Sequence, residues 1–122
     1  MKMVMTRDVS YEKAYALALR IVQICRRLRE DKKEYVLSRQ LLRCGTSIGA
    51  NLAEAHGSIS SADLSSKVSI AYKECKETKY WVSLLRDSGY LDLVEAKEIL
   101  ASLDELARIL FSIIRTLRIR QK

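Results

Sequence analysis

The sequence predicts an all-α protein folded as an antiparallel up-and-down four-helix bundle. Three observations carry this reading. There is no proline and there are only four glycines among 122 residues. Leu, Ala, Glu, Lys and Arg, all strong helix formers, make up much of the chain. Apolar residues recur at spacings of three and four in four successive stretches divided by turn signals.

The first helix is expected over about 10–30, with Ser10 or Asp8 able to cap its start and Ala14, Leu17, Ala18, Ile21, Cys25 and Leu28 on one face. Glu30, Asp31, Lys32 and Lys33 mark a turn into a second helix over 34–56, closed by Gly57 and the serines after it. A third helix over 61–88 starts at Ser60 or Ser61 and carries Leu64, Val68, Ala71, Cys75, Thr78, Val82 and Leu85 as a bundle-type seam. Gly89 is the residue for a left-handed position just past its end, and Asp92 with Glu95 has the spacing of a capping box for a fourth helix over 93–120. That helix bears two apolar rows, Ile99, Leu103, Leu106, Leu110, Ile113 and Leu117 beside Leu100, Ala107 and Ile114, widened by Phe111. So broad an arc suits burial in a bundle, with some surface left for a neighbouring subunit. Residues 1–122 therefore read as one domain, long enough to bury a core without disulfides or a structural metal.

Composition narrows the function classes. A formal charge of +7 favours polyanionic partners, although lysines and arginines that merely solvate helix faces give the same total. Cys25, Cys44 and Cys75 are far apart, lack the close pairing of zinc or redox sites, and read as small core residues. No apolar run reaches the length of a membrane span and Met1 to Arg7 does not resemble a signal peptide, so a cytoplasmic protein without membrane contact is expected.

The second helix carries the most information. Gly45, Gly49 and Ala53 stand four apart and leave a stripe nearly bare of side chain, which suits close approach of another helix. Beside it run Gln40, Arg43, Ser47, Asn51 and Glu54, again on one face. The preferred reading of this line is an interhelical network, with Arg43 and Glu54 pairing against Glu74, Glu77 or lysines of the third helix. The competing reading is a surface for a ligand or nucleic acid.

From Gln40 to Asp92 the chain resembles the bacterial four-helix-bundle family first recognised as open reading frames within intervening sequences of 23S ribosomal RNA genes. The resemblance rests on Gln40-Leu41 and Arg43, Ser47-Ile48, Asn51-Leu52-Ala53-Glu54, Ile70-Ala71, Glu77 and the Gly89-Tyr90-Leu91 turn. Ala55 stands where glycine usually follows the glutamate and Glu74 where a small residue is frequent; neither change threatens the fold. The resemblance implies up-down-up-down bundles that assemble as homopentamers. It extends to the accessory protein of diversity-generating retroelements, a basic pentamer implicated in binding nucleic acid and a reverse transcriptase.

Catalysis is not expected. His56 is the sole histidine and reads as a capping or surface residue, no arginine shortly precedes it as helical ribonucleases require, and no Glu-x-x-His motif accompanies Glu54, Glu74 and Glu77. No metal and no cofactor are implied. Nucleic-acid binding, to RNA or DNA, has more support. Basic residues gather at Arg20, Arg26, Arg27, Arg29, Lys32 and Lys33, and again at Arg108, Arg115, Arg118, Arg120 and Lys122. In an up-and-down bundle these two groups fall at opposite ends of a subunit, and Arg108, Arg115 and Lys122 share one stripe that a ring would repeat. A third group, Lys73, Lys76, Lys79 and Arg86, lies near Tyr72, Tyr80 and Trp81, whose rings are read as packing between subunits in preference to stacking on bases. Any such binding is expected to be directed at the backbone and not at sequence. The alternative is a protein-interaction module that docks an acidic partner such as a reverse transcriptase.

Overall fold

The computed structural model describes residues 2–121, with side chains described from 9 to 119. It contains four helices, α1 (Lys2–Asp31), α2 (Val36–His56), α3 (Ser61–Asp87) and α4 (Leu93–Gln121). Each packs against its neighbours in the chain, and α1 closes the ring against α4, while among the described residues the diagonal pairs make no backbone contact. Side-chain pairs fix the directions. Arg27 meets Glu95, Arg20 meets Glu98 and Lys13 meets Glu105, so the numbering rises along α4 as it approaches the start of α1. The same reversal joins α2 to α3, where Arg43 meets Glu77 and Glu54 meets Lys67. The bundle is antiparallel throughout.

The core follows the three-four spacing. Ala14, Leu17, Ile21, Ile24, Cys25 and Leu28 of α1 are buried against Leu41, Ile48 and Leu52 of α2 and the Val68-to-Leu85 seam of α3. The α4 rows from Ile99 to Leu117 complete it, with Leu103, Leu106, Leu110 and Ile113 enclosed almost entirely. Three expected core residues sit nearer the edge: Ala18, Leu64 and Leu100 are only partly buried. All three thiols are free and buried. Burial pushes those of Cys25 and Cys75 up to about 12, with Cys44 reinforcing the effect on Cys25 and Glu74 that on Cys75. Protonated and enclosed, they are packing groups.

The turns show how each helix is set. The third ends in a Schellman motif: Gly89 takes φ +84°, its N–H donates to Arg86 O at 3.2 Å and that of Tyr90 to Leu85 O at 2.9 Å. Asp92 then accepts from the N–H groups of Val94 and Glu95 at 3.0 and 3.1 Å, as an N-cap does. The return half of a capping box is replaced, because the Glu95 carboxylate is engaged by Arg27 at 2.7 Å. Ser60 caps α3 by accepting from Asp63 N–H at 3.0 Å.

Two starts differ from the sequence reading. The first helix begins at Lys2, so Ser10 is a buried mid-helix residue and neither it nor Asp8 is a cap. No proline or glycine lies between residues 2 and 10 to stop the helix from propagating towards the N-terminus. The second helix begins at Val36, two residues late, because Glu34 stays outside it and acts as its cap. Its carboxylate accepts from the N–H groups of Val36 and Leu37, and its own N–H donates to Leu28 O at 3.0 Å. Those bonds explain how a glutamate is held 8% exposed.

The glycines of α2 face α1. A β-carbon on Gly45 would lie 2.5 Å from Cδ1 of Ile21, whereas one on Gly49 would meet Ala14 at an ordinary 3.7 Å. Ala53, the third member of the expected bare stripe, is exposed. Close approach is thus centred on Gly45.

Candidate nucleic-acid interface

The arginines that the sequence groups together are sorted by the bundle into two kinds. At the end of α1, Arg20 reaches Glu98 at 3.1 Å and Arg27 reaches Glu95 at 2.7 Å, two cross-helix pairs that tie α1 to α4. Arg26 and Arg29 are exposed on the other side of α1, beside Val22 and Leu42. The cleft of about 380 Å³ at this end, between Arg27, Asp31, Lys32 and the Gly89–Asp92 turn, is crossed by the Arg27–Glu95 pair.

On α4 the picture is different. Arg108, Arg115 and Arg118 are exposed, and none closes an ion pair with a described residue. The neighbouring carboxylates are committed elsewhere: Asp104 to Lys79 at 2.5 Å, and Glu105 to Lys13 at 2.5 Å. Hydrogen bonding from Lys79 and Lys13 holds both carboxyls below their ordinary range. Arg108 and Arg115 are seven residues apart, about 10 Å along the helix, and so project on one side of it. Arg120 and Lys122 lie outside the residues whose side chains are described.

The third basic group is divided in the same way. Lys79 is paired with Asp104, and Arg86 is paired with Asp87 at 2.8 Å. Lys73 is exposed, and Lys76 lies 5.4 Å over the ring of Tyr72. Tyr72 itself packs against Phe111 of α4 with ring centroids 5.9 Å apart. Tyr80 and Trp81 form an edge-on pair at 5.0 Å farther along α3.

The polar line of α2 meets α3. Arg43 bonds Glu77, lies 3.7 Å from Glu74 Oε2, and donates to Gln40 Oε1 at 3.4 Å. Trp81 Nε1 donates to the same Glu77 oxygen at 3.0 Å, a partner that spacing alone did not reveal. Asn51 donates to the carbonyl and hydroxyl of Ser47 at 2.8 and 3.0 Å, and Glu54 pairs with Lys67 at 3.3 Å. This is an interhelical network, and its charges are largely spent within the bundle. One member is poorly served: Glu74 Oε2 is buried and accepts no hydrogen bond. Burial first, and Glu77 second, push its carboxyl up, with Arg43 opposing.

A carboxyl raised on folding is penalised when ionised, so the penalty is full at neutral pH and disappears below its ordinary value near 4.5. Glu74→Gln is therefore expected to stabilise the protein at pH 7 and to have no effect at about pH 4. Urea midpoints at the two pH values check this. A loss of stability at pH 7 would show that Glu74 contributes a favourable pair.

His56 lies at the end of α2 with its ring edge-on to Tyr11 at 5.8 Å. Among the described residues no three His, Cys, Asp or Glu side chains gather closely enough to hold a metal ion, and no helix is long and apolar enough to cross a membrane.

A basic antiparallel four-helix bundle, with a charge network between its second and third helices and unpaired arginines along its fourth, defines the class of protein. The sequence profile of the 23S rRNA-intervening sequence proteins matches residues 8–112, and the chain belongs to that family. A crystal structure at 1.70 Å of a protein of unknown function from the S23 ribosomal protein family of Bacteroides thetaiotaomicron superposes with a TM-score of 0.88 at 40% identity. The match covers 90% of this chain and 98% of that one. No curated protein is similar enough to the chain to add a comparison.

Proposed function

We propose that this protein is a non-enzymatic, oligomeric basic bundle that binds RNA or DNA through the phosphate backbone without reading sequence. One observation carries the reading. Arg108 and Arg115 are exposed, aligned on α4 and unpaired among the described residues, whereas Arg20 and Arg27 are neutralised by Glu98 and Glu95. Arg108 acts electrostatically on Asp104 and Glu105 but closes an ion pair with neither; exposed cations in a row are what a phosphate backbone recognises, and each neutralised phosphate releases counterions. Free, buried thiols suit a reducing compartment such as the cytoplasm.

Self-association into a homopentamer, which the family resemblance implies, is part of the proposal. Tyr15 and Leu19, one turn apart on α1, are 56% and 52% exposed in a single chain, and Tyr80 of α3 is 60% exposed. A ring would cover such groups and repeat the α4 arginines around its circumference, multiplying weak contacts. Sedimentation should give five times the chain mass, and a monomer at micromolar concentration would contradict the assembly.

Fluorescence anisotropy with labelled single-stranded and duplex oligonucleotides at about 50 mM salt tests the binding itself. The wild-type chain is expected to bind. Failure to bind either probe would remove the nucleic-acid reading and leave an acidic protein as the partner of the basic surface.

A further inference from the structure

The groove between α3 and α4 lies outside the charge network of α2 and α3. Tyr72, Lys76, Ala107, Arg108 and Phe111 line one stretch of about 260 Å³. Beyond it, Arg108 and Phe111 also border a depression of about 370 Å³ on the face of α4 itself, with Ser112, Arg115, Thr116 and Ile119. The two depressions share Arg108 and Phe111 and so adjoin along the exposed face of α4. The floor of the first is apolar where Ala107 is buried, its edges are cationic, and its most prominent ring, Phe111, is 46% exposed.

Resting on the reading of this chain as a nucleic-acid binder, we infer that this surface takes unpaired nucleotides, with Phe111 as the stacking ring, Tyr72 packed behind it, and Lys76, Arg108 and Arg115 as phosphate contacts. Charge and shape choose this occupant together. Asp104 is the one acid lining the first stretch, and its carboxylate is turned to Lys79, so the groove presents an excess of positive charge. An apolar helix from a second copy would cover Phe111 only by desolvating Arg108 and Arg115 without counter-charges, an unfavourable exchange. A phosphate backbone supplies those counter-charges. A duplex supplies them too, but its base faces are already stacked on one another, and only an unpaired base can lie against an exposed ring. Lys76, held 5.4 Å over the Tyr72 ring, keeps a cation beside Phe111.

This assigns Tyr72 and Phe111 a role other than packing between subunits. Anisotropy titrations with an oligouridine of roughly 12 nucleotides and a duplex of equal length, at about 50 mM salt, separate the possibilities. Wild type is expected to prefer the single strand. Phe111→Ala should weaken single-strand binding about tenfold and leave duplex binding unchanged, while Phe111→Tyr, which keeps the ring, should bind like wild type. Far-ultraviolet circular dichroism and light scattering on the same samples establish that the variants are folded and assembled as wild type is. Equal wild-type affinity for the two probes, with no effect of Phe111→Ala on either, would overturn the stacking groove while leaving backbone binding intact. A change of oligomer mass in Phe111→Ala would overturn it by showing that the ring packs between subunits. No wild-type binding to either probe would overturn the function on which it rests.

Discussion

Replacing Arg108 and Arg115 together by glutamine is expected to lower affinity for a single-stranded oligonucleotide by about tenfold or more at about 50 mM salt. The same double variant should flatten the salt dependence. Each phosphate contact on a single strand contributes about 0.7 to the slope of log affinity against log salt, so losing two reduces it by about 1.4 per subunit engaged. The matched control is Arg20→Gln with Arg27→Gln, which removes the same formal charge from α1. Those side chains already neutralise Glu98 and Glu95, so affinity and slope should change little. What this control should lose is stability, by no more than about 1 kcal/mol per exposed pair. Equal losses of affinity in the two double variants would mean that only net charge matters and that the pairing seen in the bundle is irrelevant to binding.

The largest effect on stability is expected at Gly45. Its α-carbon faces Ile21, a fully buried residue whose Cδ1 and Cγ2 atoms would lie 2.5 and 3.0 Å from an added β-carbon. Gly45→Leu forces a whole side chain into that contact, and overpacking of this kind costs about 3 kcal/mol or more. Gly49→Ala should do the reverse. There the nearest atoms belong to Ala14 at 3.7 to 3.9 Å, so a methyl group fits, and alanine in place of helical glycine gains about 0.8–1 kcal/mol. Urea unfolding of the two variants beside wild type tests the pair. If Gly45→Leu proved as stable as wild type, α1 would not cross α2 at that glycine.

The contrast between the two glycines shows where sequence reasoning stops. Their shared spacing marks a stripe on α2, and the stripe does face α1, but only the crossing point decides which glycine is indispensable. The same holds for charge. Local signals placed Ser60, Gly89 and Asp92 because capping is settled within a few residues of chain. Nothing local distinguishes Arg27 from Arg26. The two are adjacent in sequence, yet one turns to Glu95 across the bundle and the other to solvent. That difference depends on the register of α1 against α4, which a one-dimensional pattern does not contain.

The unexpected start of α1 has a related cause. A helix is stopped by a breaker or a cap, and the residues from Lys2 to Val9 include neither proline nor glycine, so Ser10 became interior. Glu34 shows the opposite error. It fits a helical pattern in sequence, but its carboxylate serves α2 better from outside, against the N–H groups of Val36 and Leu37. The meeting of Tyr72 with Phe111 was also hidden, since their positions on separate helices become neighbours only once α3 and α4 pack. The apolar width of α4 was legible, but not that Phe111 would stand at its rim among cations.

In the proposed function the exposed cations of α4 hold a nucleic-acid backbone. The most direct test is the salt dependence of wild-type binding to a single-stranded oligonucleotide. With Lys76, Arg108 and Arg115 each neutralising a phosphate, affinity should fall by about tenfold or more between about 50 and 200 mM salt, along a straight line in log affinity against log salt. No complex at about 50 mM salt, or an affinity that stays constant across that range, would contradict it.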